Sequence, residues 1–272
     1  MLYYLYNILD FRRIYMRLGI CAKSDKFEYI KNLGFDYIEH TLTSISRMSD
    51  DEVEAVKAEL DRCQLSIDAV NLFCKADMKL SCGVDFDAVR AYAESALAKA
   101  ARLGTKILVI GSGGARRIPD GCSIEEAEKN FKAVLNIVAD VASANGIRIA
   151  VEPLNYKECN FINTLADAAK ICEELGREDV GCVLDLYHFY MNGEDMADIA
   201  KYGKHIIHVH IARMNEDRGT PTLADADWVT DAVLALERIG YSGRMSLESS
   251  YEPDFETAVK NYAELLESIK IK

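Results

Sequence analysis

Proline, tryptophan and histidine are scarce in this chain: four, one and five residues among 272. Half of the residues are hydrophobic and 28% are charged, so the near-absence of proline excludes an extended disordered protein and leaves ample material for a core. Basic charge is also in deficit. Lys and Arg total 32 against 44 Asp and Glu, a net charge of −12. Nucleic-acid phosphates demand a basic footprint, so nucleic acid is excluded as a partner; a local basic pocket for a small anion is not. No apolar run approaches the roughly 20 residues of a membrane span, so no membrane partner is expected. None of the eight cysteines lies in a C-x-x-C pair, and several sit inside apolar runs. Free thiols in a reducing cytoplasm are the expectation.

The opening stretch, MLYYLYNILDFRRIY, lacks the order of a secretory signal, because Arg12 and Arg13 follow the apolar part instead of preceding it. A fresh Met16 stands directly before the first convincing strand. Residues 1–15 are therefore expected to be an extension, either vestigial or a helix covering one end of the domain. Residues 16–272 are expected to be the domain itself.

What is present is a rhythm. RLGICA, FDYIEH, LSIDAVNLF, TKILVIG, the run into Glu152, GCVLD, HIIHVHIA and GRMSLES read as strands. Helical text follows each. Ser49 opens a helix whose first turn holds Asp50, Asp51 and Glu52, Ser123 with Glu126 has capping-box spacing, and Thr164 caps a helix to Leu175. Further helices are expected over Ser24–Asn32, Phe86–Leu103, Glu194–Tyr202, Asp227–Ile239 and Asp254–Lys272. Eight alternating units with buried strands predict parallel pairing and a single α/β domain, a (β/α)8 TIM barrel. An open doubly wound sheet more often stops at fewer strands.

In such barrels chemistry sits at the C-terminal strand ends. Four consecutive strands, the fifth to the eighth, end in Glu152, Asp185, His210 and Glu248. One strand-end acid is ordinarily a helix cap or a solvated charge. Four such side chains at one rim would repel each other without a cation, so they are read as ligands of one divalent metal, a hard or borderline ion such as Mn2+, Co2+, Mg2+ or Zn2+. His208 faces the same side of its strand as His210 and is read as an orienting or packing histidine. Past the strand tips, Glu158, His188 and Arg218 are candidate substrate contacts, with Arg213 as the alternative arginine. GSGGARR after the fourth strand lacks a phosphate-loop pattern, so its glycines are read as turn formers, and Arg116 and Arg117 as weak candidates for an anionic substrate tail.

At these residues the chain resembles the xylose-isomerase-like sugar phosphate isomerase/epimerase superfamily, most closely its ketose 3-epimerase branch. The resemblance runs from Met16 to the C-terminus. Its most specific parts are E-x-x-N-x-x-E-x-x-x-x-N-T (Glu152, Asn155, Glu158, Asn163, Thr164), L-D-x-x-H (Leu184, Asp185, His188), H-x-H (His208, His210) and the final strand acid, Glu248. The resemblance implies that Glu152, Asp185, His210 and Glu248 hold the metal, that Glu152 and Glu248 double as the catalytic acid/base pair, and that Glu158, His188 and an arginine grip a small carbohydrate. It also implies a homodimer or homotetramer. The sequence departs from the epimerase pattern in the loop after the seventh strand, where Glu216 and Asp217 separate Asn215 from Arg218.

The function expected is metal-dependent epimerisation or isomerisation of a ketose-type sugar or sugar phosphate through an enediolate. Two alternatives use the same residues: a sugar dehydratase or lyase, and a non-catalytic sugar-binding barrel. A phosphodiester-cleaving relative of the apurinic endonucleases ranks low, since it needs more histidines than five and a basic face.

Overall fold

Eight strands of four to six residues alternate with helices. They are β1 (Arg17–Cys21), β2 (Tyr37–Thr41), β3 (Ile67–Asn71), β4 (Ile107–Ile110), β5 (Arg148–Val151), β6 (Val180–Asp185), β7 (Ile206–Ile211) and β8 (Arg244–Leu247). All pair in parallel with their sequence neighbours, and β8 pairs with β1, so the sheet closes into a barrel. This computed structural model describes residues 16–270; the expected extension at residues 1–15 lies outside the described residues.

The helices are α1 (Phe27–Asn32), α2 (Leu42–Ile45), α3 (Asp50–Cys63), α4 (Phe86–Arg102), α5 (Gly113–Arg116), α6 (Ile124–Ala144), α7 (Leu165–Leu175), α8 (Leu186–Met191), α9 (Met196–Tyr202), α10 (Ala226–Arg238) and α11 (Phe255–Ser268). Most start where the sequence marks a cap. Ser49 and Thr164 close reciprocal capping boxes with Glu52 and Asp167, while at Ser123 only the serine arm forms, accepting from Glu126 N–H. Each such cap contributes about 1 kcal/mol. The short helices α2, α5 and α8 were not anticipated; a single turn is too brief to show a 3.6-residue period.

Two apolar layers result. Outward strand faces pack against the helices in one large core, and inside the barrel Tyr37, Ala69, Ile107, Val109, Ala150 and Val183 form a separate plug. Tyr37 fits because it lies over Gly19, where a Cβ would stand 2.3 Å from the ring. Its hydroxyl pairs with Ser246 Oγ at 2.7 Å. At the N-terminal end, Asp68 accepts from Arg17 and Arg244 at 3.1 and 2.8 Å, which ties β1, β3 and β8 together.

The expectation of free thiols throughout is corrected at one pair. Cys82, in the loop after β3, is bonded to Cys122, in the loop before α6, with the Cα atoms 6.4 Å apart. Forty residues separate them, so only closure of adjacent βα units brings them together. Cys63, Cys74, Cys159, Cys172 and Cys182 are free and buried, and Cys21 is free and half-buried. Among the described residues no helix is long and apolar enough to cross a membrane.

The helix expected from Glu194 begins at Met196, capped by Asp195. Glu194 instead accepts a hydrogen bond from Leu165 N–H at 2.8 Å, at the start of α7. Burial, with smaller contributions from Asp198 and Asp167, pushes its carboxyl from the usual 4.5 up to about 7. Between those values the folded state binds the proton that the unfolded chain has released, so stability falls as pH rises through this window. Glu194→Gln keeps the acceptor and removes the charge. Its melting temperature relative to wild type is expected to be higher at pH 8 than at pH 5, by thermal denaturation; an equal difference at both pH values refutes the assignment.

Candidate metal centre at the barrel mouth

The four residues expected as ligands converge. Glu152 and Glu248 lie one residue beyond β5 and β8, Asp185 ends β6, and His210 is the penultimate residue of β7. Asp185 and His210 are direct partners across the β6–β7 ladder, so both point inward at one level. His210 Nδ1 stands 2.9 Å from Glu152 Oε1, 2.9 Å from Glu248 Oε2 and 3.6 Å from Asp185 Oδ2. One donor atom from each of the four lies within 4.8 Å of all the others.

This donor set fits a divalent cation. Ligands about 2.1 Å from one ion stand about 3.0 Å apart when adjacent, close to the separations around His210. Three carboxylates and an imidazole suit a hard or borderline ion. Asp185 satisfies both readings of a strand-end acid at once. Its Oδ1 caps α8, accepting from Tyr187 and His188 N–H at 2.8 and 3.0 Å, while Oδ2 faces His210. Burial alone would raise the Asp185 carboxyl; His188, Arg218 and His210 beside it outweigh that and hold it well below the usual range.

Of the residues read as substrate contacts, Arg218 sits deepest in the acidic cluster. Its Nη2 is 3.0 Å from Asp185 Oδ2 and 2.6 Å from Glu248 Oε2, and its guanidinium stacks over Tyr187 at 4.9 Å. Its backbone is left-handed, with φ of 49°, and is held by Ser250 N–H donating to its carbonyl. Backbone strain of this kind collects where a side chain must be aimed. Arg213 is used elsewhere, bonded to Asp225 and to the Thr220 carbonyl. His188 is not a loop residue but part of α8, and buried. Its Nδ1 meets the backbone and side-chain nitrogens of Asn155 at 3.2 and 2.9 Å. Glu158, accepting from Asn155 Nδ2 at 2.9 Å, remains half exposed. Glu158, His188 and Arg218 line, with Glu152 and Glu248, a cavity of about 800 Å3.

Sequence reasoning missed three supports. Glu39, in the middle of β2, is fully buried and accepts from His208 Nε2 at 2.8 Å and His210 Nε2 at 2.9 Å. Asn71, ending β3, donates to Glu248 Oε1 at 3.1 Å. Gly111 is no simple turn former, because a Cβ there would stand 2.0 Å from Glu152 Oε2. The adjacent Glu39 and His40 in FDYIEH are the one local signal for the first; the other two carry none. The weak reading of Arg116 as a substrate contact is corrected. It is fully buried and donates to the Ile110 and Ile162 carbonyls at 3.2 Å, so it braces the loops behind Glu152. Arg117 donates to the Glu158 carbonyl at 2.8 Å.

A family model described as xylose isomerase-like TIM barrel matches residues 27–271. An inosose isomerase of Halalkalibacterium halodurans is 29% identical over 150 residues, covering 50% of this chain and 52% of that protein. A ketose 3-epimerase of Arthrobacter globiformis is 37% identical over 121 residues, covering 44% of this chain and 41% of that protein. The chain thus spans about half the length of these curated relatives. Among solved structures, a 3-keto-D-glucoside 4-epimerase from E. coli superposes with a TM-score of 0.77 at 23% identity, over 94% of this chain and 99% of that one.

Gly111→Ala tests the geometry. The atom it would strike is the far end of a flexible side chain, so the glutamate swings away at little cost in stability. The melting temperature of the metal-free variant is expected to stay close to wild type while its affinity for Mn2+ falls about tenfold or more, read by calorimetric titration. Unchanged affinity would show that Glu152 does not need the space above Gly111.

Proposed function

The chain belongs to the xylose isomerase-like TIM-barrel family, and from that premise we propose that it is a divalent-metal-dependent epimerase or isomerase of a ketose-type sugar or sugar phosphate. The observation that carries this reading is the pair of glutamates that flank one point: Glu152 and Glu248 each bring an oxygen within 2.9 Å of His210 Nδ1. Binding alone would not call for two opposed carboxylate bases.

Glu152, Asp185, His210 and Glu248 would hold the cation, and their three carboxylates and one imidazole suit a hard or borderline ion such as Mn2+. When bound, the cation supplies electrostatic stabilisation of the two adjacent oxygens of an enediolate. The chain's own groups do the rest. One glutamate takes the proton from the carbon beside the substrate carbonyl, and the other returns a proton to the opposite face, inverting that carbon. Return to the neighbouring carbon instead gives isomerisation. Asn71 fixes one oxygen of Glu248, and Gly111 leaves room for Glu152 to lie across the loop. Arg218 and His188 are set to meet substrate oxygens, with Glu158 at the wetter side of the cavity. The burial of Glu152 strengthens the interactions it makes.

The test is exchange of substrate C–H with deuterated water, followed by proton NMR across a panel of ketoses with Mn2+ present. Glu152→Gln and Glu248→Gln are each expected to slow exchange by about 10²–10⁴-fold. Wild-type exchange rates in both variants would defeat the two-glutamate scheme, and an eliminated product in the same spectra would replace epimerisation by a lyase reaction.

A further inference from the structure

Glu39 is not among the four residues read as ligands, yet it is the acid most completely removed from solvent beside them. It lies in the middle of β2, on the far side of the His210 ring, with no exposed surface. Both its oxygens are taken: Oε1 by His210 Nε2 at 2.9 Å and Oε2 by His208 Nε2 at 2.8 Å. A carboxylate sealed in a barrel interior is costly unless donors replace its water. Here both donors are imidazoles two residues apart on β7, with rings in an edge-to-face arrangement 4.9 Å apart. His208 Nδ1 is buried and finds no hydrogen-bond partner among the described residues. The polar capacity that His208 uses is thus spent on Glu39. The same carboxylate accepts a hydrogen bond from Nε2–H of His210, which leaves Nδ1 as the nitrogen turned to Glu152, Asp185 and Glu248.

We infer that Glu39, braced by His208, is a positioning residue for His210: it fixes the ring and keeps the proton on Nε2, so that the Nδ1 lone pair is the one offered to a cation. The inference rests on the metal reading of the preceding subsection. An ion pair serving the core alone would give stability and no choice of nitrogen. A glutamine at position 39 separates the two roles. Its amide presents one acceptor and one donor, so one of the two imidazoles must turn over or change tautomer to meet the donor.

The experiment is titration of metal-free protein with Co2+, followed by the visible ligand-field spectrum, together with the melting temperature of the metal-free form. Wild type is expected to bind one Co2+. Glu39→Gln is expected to melt close to wild type and to bind Co2+ about 10–100-fold more weakly, with shifted bands. Wild-type affinity and an unchanged spectrum in Glu39→Gln would overturn the inference while leaving the metal centre standing. Failure of wild type itself to bind Co2+ would overturn the metal reading, and this inference with it. A second measurement needs no variant, in case Glu39→Gln does not fold. Long-range proton–nitrogen NMR of Zn2+-loaded wild type is expected to show His210 protonated at Nε2 and metal-bound at Nδ1, and the reverse assignment overturns the proposal.

Discussion

Carboxylates crowded around a single imidazole nitrogen repel one another, and the barrel mouth is built to contain that repulsion. Asp185, Glu152 and Glu248 come from three different strands, and the closed sheet gives them no room to separate. Positive charge is supplied from above by Arg218, whose strained backbone aims it between Asp185 and Glu248. Glu39 on one side of the ring and Glu248 on the other raise the His210 imidazole well above its usual value although burial works against them. A divalent cation held by these four residues would do the same work more completely.

That balance depends on a polar column threaded through an otherwise apolar barrel. The plug of Tyr37, Ala69, Ile107, Val109, Ala150 and Val183 shuts out water from one end. On it rests His208, at the level of Val183 in the β6–β7 register, and above it His210, at the level of Asp185. Glu39 joins the two levels. Burial alone would raise the Glu39 carboxyl, but His210 and His208 outweigh that and hold it well below the usual carboxylate range. The column divides the molecule as other barrels of this kind are divided. Asp68 with Arg17 and Arg244 stitches strands at the N-terminal end, and the chemistry-bearing groups gather at the other.

The loops around the mouth are tied down by contacts that carry no chemistry. Cys82–Cys122 joins the loop after β3 to the loop before α6. Arg116 holds the ends of β4 and of the loop that follows Glu152. Asn163 Nδ2 bonds the Leu154 and Cys159 carbonyls at 2.7 and 2.9 Å, which closes that loop on itself. Glycine at 111 then lets the carboxylate of Glu152 lie where a side chain would otherwise be. Rigid surroundings of this sort keep mutually repelling groups within one ligand shell.

The barrel, its eight strands and the four converging side chains were readable from the chain's text, because strand periodicity, capping residues and strand-end acids are local patterns. Ser49, Ser123, Thr164 and Asp254 mark helix starts within a few residues of the contacts they make. The supports of the site were not readable in this way. Glu39 reaches His208 across 169 residues and Asn71 reaches Glu248 across 177. Apart from the adjacent His40, nothing beside Glu39 distinguishes it from a solvated acid on a strand, and nothing beside Cys82 points to Cys122. Local text says which way a side chain leaves its strand; what it meets there is set by closure of the sheet, which brings distant strand tips to within hydrogen-bonding distance.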